Sequence, residues 1–501
     1  MRVLFIYPVL YKMTGLPAGL ASICAVLKEN GHEIRIFDTA FYANKESRSQ
    51  TKIRSERGIS KAVEDEERRL PENDTDIEKD IISSINEYKP DIIGVSILEV
   101  VYDISLRLTK LIKRHFGDIP IVAGGIFPTF SAERVIGENS VDMLCLGEGE
   151  TAISELCNRL AEGKSFTDIP GLWVKKDGGI YKNRPSGLHD INKLPYPDYT
   201  EFDKRLFYKP MQGRMFKMVN IATSRGCFYN CSFCASQKLV EFFKENGHGQ
   251  YYRQMDMQRA IKQIEFQIEK YNPEFLYFSS VNFLAMSEDD FDIFVKGYRK
   301  IKLPFWIQTR PETITKKRLL ELKNVGMNWL SIGLEHGNEE FRRKVLQRNY
   351  SNEFFFQKME ILRELGIGAS VNNMIGLPFE TRDLVFDTIK ANKQLLERNP
   401  RLECNVFLFT PFKGCELYDV CMKNGLLDMD FINACDFSDK SVIRFSEDFQ
   451  EDIKGLTRTF NLYVRLPEEY YADIKIAEKN NKAGNIMLRK LFNFLKRKPS
   501  P

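Results

Sequence analysis

Ser224-Arg225-Gly226-Cys227-Phe228-Tyr229-Asn230-Cys231-Ser232-Phe233-Cys234 sets three thiols within eight residues, in a C-x-x-x-C-x-x-C run. Gly226 and the short polar residues between the thiols predict a tight loop, not a helix. Three thiolates on one loop can hold one face of an iron–sulfur cluster. A 4Fe–4S cube usually takes four, so one iron keeps an open position, which marks a reactive site and not a structural one. Structural zinc would need a second C-x-x-C or an H-x-x-x-H pair, whereas the next thiol is Cys404. Ten cysteines in 501 residues, mostly solitary, do not make a disulfide framework.

The run resembles the signature of the radical S-adenosylmethionine enzymes, including aromatic Phe233 before the last Cys. The resemblance implies that Cys227, Cys231 and Cys234 hold the cluster and that S-adenosylmethionine chelates the fourth iron. It further implies a one-electron donor such as flavodoxin or ferredoxin, and a 5′-deoxyadenosyl radical that abstracts hydrogen from a substrate. The cofactor carries the chemistry, and the protein supplies aim and exclusion of water.

The rest of the chain is ordinary in composition: 43% apolar, 28% charged, net charge +4. Charge alone therefore implies neither nucleic acid nor a bulk anionic surface as partner. No secretory signal or spanning stretch is visible, and unpaired thiols point to the reducing cytosol, a cytoplasmic location.

Upstream of the cysteines, strand and helix alternate. Val3–Tyr7, His32–Asp38, Ile92–Ile97, Ile119–Ala123 and Asp142–Leu146 read as strands, with helices over Leu16–Asn30 and Asp103–His115. This predicts a doubly wound, Rossmann-like α/β domain over residues 1–150, with its ligand beyond the carboxyl ends of the strands. Those ends carry Gly15-Leu16-Pro17, Gly94-Val95-Ser96, Gly124-Gly125 and Gly147-Glu148-Gly149. Glycines there let backbone approach a large flat ligand, although any single one serves equally as a tight turn. As a set the segments resemble the cobalamin-binding domain that precedes many radical S-adenosylmethionine barrels. The resemblance implies cobalamin contacts from Gly15, Leu16, Pro17, Ser96, Gly124, Gly125, Gly147, Glu148 and Gly149. No Asp-x-His-x-x-Gly motif is present, and His32 and His115 read as surface residues, so the cobalt would lack a histidine ligand. A charged insertion at Asn44–Glu78 reads as a solvated helix, lid or decoration. Residues 151–210 read as a linker with a small hairpin at Asp177-Gly178.

Residues 211–415 repeat βα units: a first strand at Met218–Thr223, then Phe275–Phe278, Phe305–Gln308, Trp329–Gly333, Ala369–Ile375 and Glu403–Phe409, separated by helices such as Lys316–Val325. They predict a partial or full (β/α) barrel with chemistry at the strand ends. The resemblance assigns S-adenosylmethionine contacts to Phe233, to Glu335 in Gly333-Leu334-Glu335-His336-Gly337 (its two carboxylate oxygens suit vicinal ribose hydroxyls), to Gln308 and Arg310, and to Gly376 in Gly376-Leu377-Pro378-Phe379-Glu380-Thr381. His336 offers itself as a base or as packing. Where the subfamily often has Phe-x-Asp-Asp, this chain has Phe278-Ser279-Ser280-Val281-Asn282, so serine hydroxyls, Ser280 among them, Asn282 or backbone carbonyls must hold the cosubstrate amine. Cys415 carries no role.

Residues 416–501 read as a small helical region. Ile486–Lys498 forms a basic amphipathic helix, fitting either an anionic membrane surface or packing on the barrel. The whole implies cobalamin-dependent methyl transfer to an unactivated carbon of a small-molecule, lipid or peptide substrate. Radical cyclisation, rearrangement or oxidation stands beside it, as does a non-catalytic cobalamin or iron–sulfur sensor.

Overall fold

The computed structural model describes residues 1–11, 13, 15–42, 70–433 and 440–497. Most of the insertion read at Asn44–Glu78 lies outside these residues.

The first sheet consists of β1 (Arg2–Tyr7), β2 (Glu33–Asp38), β3 (Ile92–Ser96), β4 (Ile121–Gly124), β5 (Met143–Cys145), β6 (Leu172–Lys176) and β7 (Gly179–Lys182), in the order β2-β1-β3-β4-β5-β6-β7. Strands β1 to β5 are parallel. Their apolar runs feed two faces because side chains alternate along a strand. Val3 and Phe5 join the helices Ala18–Glu29 and Glu150–Ala161, while Leu4 and Ile6 join Ile77–Tyr88 and Tyr102–His115. The doubly wound α/β domain is therefore present. Its first helix begins at Ala18, two residues later than the periodicity predicts, with Pro17 as its cap. The hairpin turns on Asp177 and Gly178, both with positive φ, the geometry a two-residue turn demands. Through antiparallel pairing of β6 with β5 it extends the sheet and is not free linker. His32 is not a surface residue: it is buried, with Nε2 3.0 Å from Asn158 Oδ1.

The second sheet contains β8 (Tyr208–Met211), β9 (Arg214–Ile221), β12 (Phe275–Phe278), β13 (Phe305–Thr309), β14 (Met327–Glu335), β15 (Gly368–Ile375) and β16 (Leu402–Leu408). Two short strands, β10 (Ser224–Arg225) and β11 (Arg253–Gln254), pair separately. The order β16-β15-β14-β13-β12-β9-β8 is open, with six parallel strands and β8 antiparallel at one edge, so the barrel is partial. Asp256, Ser287, Thr315, Ser351 and Thr381 cap the following helices through their side chains, which fixes where each strand-end loop stops. One buried cluster runs from Val3 and Phe5 through Val219, Ile221, Leu276 and Phe278, so the two domains share a core.

At the C-terminus, helices Glu447–Arg465, Tyr471–Glu478 and Lys482–Arg497 cover β16. Leu491 is buried, and Met487, Leu488, Phe492 and Leu495 pack against the same cluster, so most of the apolar stripe of the terminal helix is spent on packing, while Ile486 stays exposed. No helix among the described residues is long and apolar enough to cross a membrane.

Candidate functional site

A cavity of about 450 Å³ lies between the carboxyl ends of the first sheet and the start of the cysteine loop. Ser96, Gly124, Gly125, Gly147, Glu148 and Gly149 all line it. Gly125 has φ +109°, and a β-carbon there would sit 2.8 Å from the Ile97 carbonyl, so this loop admits only glycine. Gly15, Leu16 and Pro17 do not reach the cavity; Ala18, Gly19 and Leu20 do. The Leu16 carbonyl is instead taken by Asn220 Nδ2 at 2.6 Å, which pins that loop to the barrel. From the barrel side Ala222, Ser224, Arg225 and Ser279 close the cavity.

Two buried carboxylates on the first rim face two guanidiniums on the second. Arg225 pairs with Glu150 at 2.5 Å and Glu148 at 3.2 Å, and Arg253 Nη1 donates to Glu148 at 3.0 Å. The His189 backbone N–H also donates to Glu148, at 3.2 Å. Burial alone would raise the Glu148 carboxyl, but Arg253 and Arg225 hold it below its ordinary value. Glu148, Glu150 and His189 are close enough to resemble a cation site, yet the guanidiniums already neutralise the carboxylates. The sequence reading missed Arg225 and Arg253; the one signal was an Arg two positions before Cys227.

In the cysteine loop Cys231 is buried, while Cys227 and Cys234 are half-buried. Ser232 ties the loop to the barrel, its hydroxyl donating to the Val345 carbonyl at 2.5 Å and its carbonyl accepting from Leu417 N at 2.9 Å. The nine described cysteines are all free. Arg310 Nη1 donates to Cys231 Sγ at 2.8 Å and its guanidinium lies 3.8 Å from the Tyr229 ring centre. Burial pushes the Cys227 thiol up, and the neighbouring Cys231 and Cys234 add to this while Arg310 opposes it. Three soft donors on one loop beside a fixed cation suit an iron–sulfur cluster.

The strand ends above the cysteines are strained and charged. Glu335 ends β14 at φ +67°, where the register with β15 shifts, and is buried. A non-glycine residue so placed marks a site over-determined by its surroundings. Its carboxylate pairs with Arg348 at 3.2 Å and folds over Gly333, where an added β-carbon would overlap it. Burial raises the Glu335 carboxyl, with Arg348 and Arg310 pulling the other way. The Arg348 guanidinium lies 5.4 Å from the Phe233 ring centre, so Phe233, Glu335, Arg310 and the cysteines meet around these cations.

Other predicted contacts are engaged with protein. Ser280 Oγ accepts from Thr223 N at 2.9 Å, tying β9 to β12. Asn282 Oδ1 accepts from Thr309 Oγ1 at 2.8 Å, while its buried Nδ2 has no partner among the described residues. Gln308 Nε2 reaches the Ser279 carbonyl at 3.4 Å. Gly376 turns the chain at φ +76°, with its N–H 2.5 Å from Glu380 Oε2. His336 is fully buried: Nδ1 accepts from Asn338 N at 3.0 Å, so the proton is on Nε2, 3.1 Å from Glu380 Oε1. It is a structural tie, not an accessible base. Among the described residues, Asn282 Nδ2 and Arg348 Nε are buried polar atoms near the strand ends without a partner, which a polar cosubstrate would satisfy.

Family models match at two places: "Radical SAM superfamily" over residues 221–391 and "B12 binding domain" over residues 59–157. An uncharacterized methyltransferase of Pyrococcus horikoshii is 25% identical over 421 residues, covering 83% of this chain and 80% of that protein. An anaerobic magnesium-protoporphyrin IX monomethyl ester cyclase of Rubrivivax gelatinosus is 24% identical over 360 residues, covering 68% and 60%. The structure of the cobalamin-dependent S-adenosylmethionine radical enzyme OxsB, with aqua-cobalamin and S-adenosylmethionine bound, aligns with a TM-score of 0.64 at 15% identity, covering 99% of this chain and 70% of that one. That likeness is one of fold.

Proposed function

We propose that this chain, a member of the radical S-adenosylmethionine enzymes that carry an N-terminal B12-binding domain, transfers a methyl group to an unactivated carbon. The observation that carries the reading is adjacency: Ser224 and Arg225, which open the cysteine loop, also wall the cavity of the first domain. Cofactors held on either side would share one reaction space, as group transfer at contact distance requires.

Cys227, Cys231 and Cys234 would hold the cluster, with Arg310 offsetting thiolate charge at Cys231. Glu335 would take the ribose hydroxyls of S-adenosylmethionine, and Asn282 Nδ2 one of its polar groups. The glycine rim, with Ser96 and Glu148, would seat cobalamin. When bound, the cluster supplies the electron that splits the sulfonium, and cobalamin supplies the methyl group. The protein's own work is to clamp the two rims through Arg225 and Arg253 and to keep water out. The substrate is a small molecule, lipid or peptide, and a flavodoxin- or ferredoxin-like donor serves as reductant.

The test is anaerobic reconstitution with cluster, hydroxocobalamin and S-(methyl-d3)-adenosylmethionine under reduction, in the presence of a small-molecule extract. Expected are 5′-deoxyadenosine and a product heavier by one labelled methyl. 5′-Deoxyadenosine with an unlabelled product would favour cyclisation, the reaction named for the Rubrivivax relative. Neither species would leave a sensor. Cys231→Ala should lose essentially all cluster absorbance near 400 nm; full retention would reject the thiol assignment.

A further inference from the structure

Among the described residues, Lys209 on β8 is a cation that the preceding roles leave unused. Its strand pairs Lys209 with Phe216 and Met211 with Arg214. Met211 and Phe216 pack with Met218, Phe275, Trp306, Tyr277 and Trp329, on the opposite side of the sheet from the helix-packed Leu276 and Phe278. Lys209 therefore belongs to the concave face of the partial barrel. Its Nζ lies 3.8 Å from the centre of the Tyr277 ring and 3.3 Å from Asn220 Oδ1, with Gly15 of the first domain against the same end. Asn220 is oriented for this, since its Nδ2 is committed to the Leu16 carbonyl.

No carboxylate among the described residues pairs with Lys209, and burial holds its ammonium down to about 8. The cations at the barrel strand ends differ: Arg310 is paired with Glu312 and Arg348 with Glu335. Beside Lys209 the concave face carries aromatic rings and neutral amides. Tyr277 stacks on Trp306 at 4.4 Å, and above them Asn372 Nδ2 donates to Ser331 Oγ at 2.8 Å and Asn405 Nδ2 to Asn372 Oδ1 at 3.1 Å. A half-buried ammonium with spare donors and no counter-ion is costly unless an anion completes it.

We propose that Lys209 anchors a carboxylate or phosphate group of the substrate, whose body meets the edges of the stacked Tyr277 and Trp306 rings. This rests on the proposed radical reaction and adds to it that the substrate is held on the concave face of the partial barrel. Lys209 is a binding residue there, at the junction of barrel and first domain.

The same anion chemistry could come from the phosphodiester of cobalamin or the carboxylate of S-adenosylmethionine, so the experiment has separate arms. Reconstituted full-length protein is titrated with benzoate, phenyl phosphate and neutral benzamide, with binding read by saturation-transfer NMR. The expected result is preference for the two anions, weakened about tenfold or more in Lys209→Met, the scale of a hydrogen bond to a charged group. Lys209→Arg should bind the anions more tightly than Lys209→Met, because the charge is kept. Cluster absorbance confirms that each variant is folded. Benzamide binding as well as benzoate, or Lys209→Met binding the anions unchanged, overturns the assignment. So does a Lys209→Met variant that loses hydroxocobalamin or S-adenosylmethionine in equilibrium dialysis while keeping benzoate. The binding arm decides Lys209 whatever turnover gives; absence of 5′-deoxyadenosine from wild-type protein overturns the functional reading instead.

Discussion

Two rims face each other across the cavity, and they are made of different material. The rim of the first sheet offers backbone: Gly124, Gly125, Gly147 and Gly149 line the space and make few side-chain commitments. The barrel offers side chains: Arg225 on the cavity wall is paired with Glu148 and Glu150, and the strand ends beyond the wall are bonded to one another, Ser280 to Thr223, Asn282 to Thr309, His336 to Glu380, Glu335 to Arg348. A backbone rim stays open to a large flat ligand at little cost. A side-chain rim must first hold its own strand ends in place, and only the atoms left over, such as Asn282 Nδ2, are free for a ligand. The difference predicts that substitutions on the barrel rim act first on stability, whereas those at the junction of the rims act on their docking.

The largest effect belongs to Glu380. Its carboxylate accepts from Gly376 N, Leu377 N and His336 Nε2, all buried. Glu380→Ala strands three donors, which should cost about 3–5 kcal/mol, the range for breaking a buried charged network. Urea unfolding followed by tryptophan fluorescence reads it, since two of the three tryptophans, Trp306 and Trp329, sit in the barrel sheet. A midpoint equal to wild type would mean that the turn after β15 stands without its carboxylate, and the contrast between the rims would fail there.

Next is the clamp. Glu148→Gln removes the charge that Arg225 and Arg253 share and should cost about 2 kcal/mol, typical of a hydrogen bond to a charged partner. The sign with pH follows from a carboxyl held below its ordinary 4.5. The folded state prefers the charged form, so the contribution is complete above pH 4.5 and is lost as pH falls through the lower folded value. The gap in urea midpoint between wild type and Glu148→Gln should be full at pH 7 and shrink below pH 4.5. A gap that grows on acidification would contradict the pairing. Hydroxocobalamin retention should fall with the variant, because the same carboxylate lines the cavity.

What the sequence disclosed follows the same divide. Local signals were legible: apolar runs gave Phe275–Phe278 and Lys316–Val325 to the residue, Asp177-Gly178 gave the hairpin turn, and glycines gave most of the first rim. Some helices were missed whether capped or not: Glu150–Ala161 and Ala235–Glu245 lack a side-chain cap, while Glu339–Leu346 has one in Asn338. Partnerships were not legible at all. Arg225 meets Glu150 across 75 residues and Arg253 meets Glu148 across 105; sequence shows what a side chain can offer, not which distant group takes it. For that reason Ser280 and His336 looked available, and Lys209 went unnoticed.

The smallest expected effect sharpens the comparison most. Ser280 stands where an acidic pair is common in the subfamily, and its hydroxyl was one candidate for the cosubstrate amine, beside Asn282 and backbone carbonyls. In the fold it is buried, accepting from Thr223 N at 2.9 Å with Thr223 Oγ1 3.0 Å away. Thr223 follows β9 and leads into the cysteine loop, so Ser280 acts on the cluster loop through a strand-end tie. Ser280→Ala leaves one buried N–H short of a partner, worth about 1 kcal/mol. If the hydroxyl is only a tie, cleavage of S-adenosylmethionine to 5′-deoxyadenosine should stay within about twofold of wild type, with KM unchanged, because no interaction with the cosubstrate has been removed. If instead KM rises about tenfold with stability intact, the hydroxyl was turned toward the ligand, and the barrel rim is less closed upon itself than its hydrogen bonds indicate.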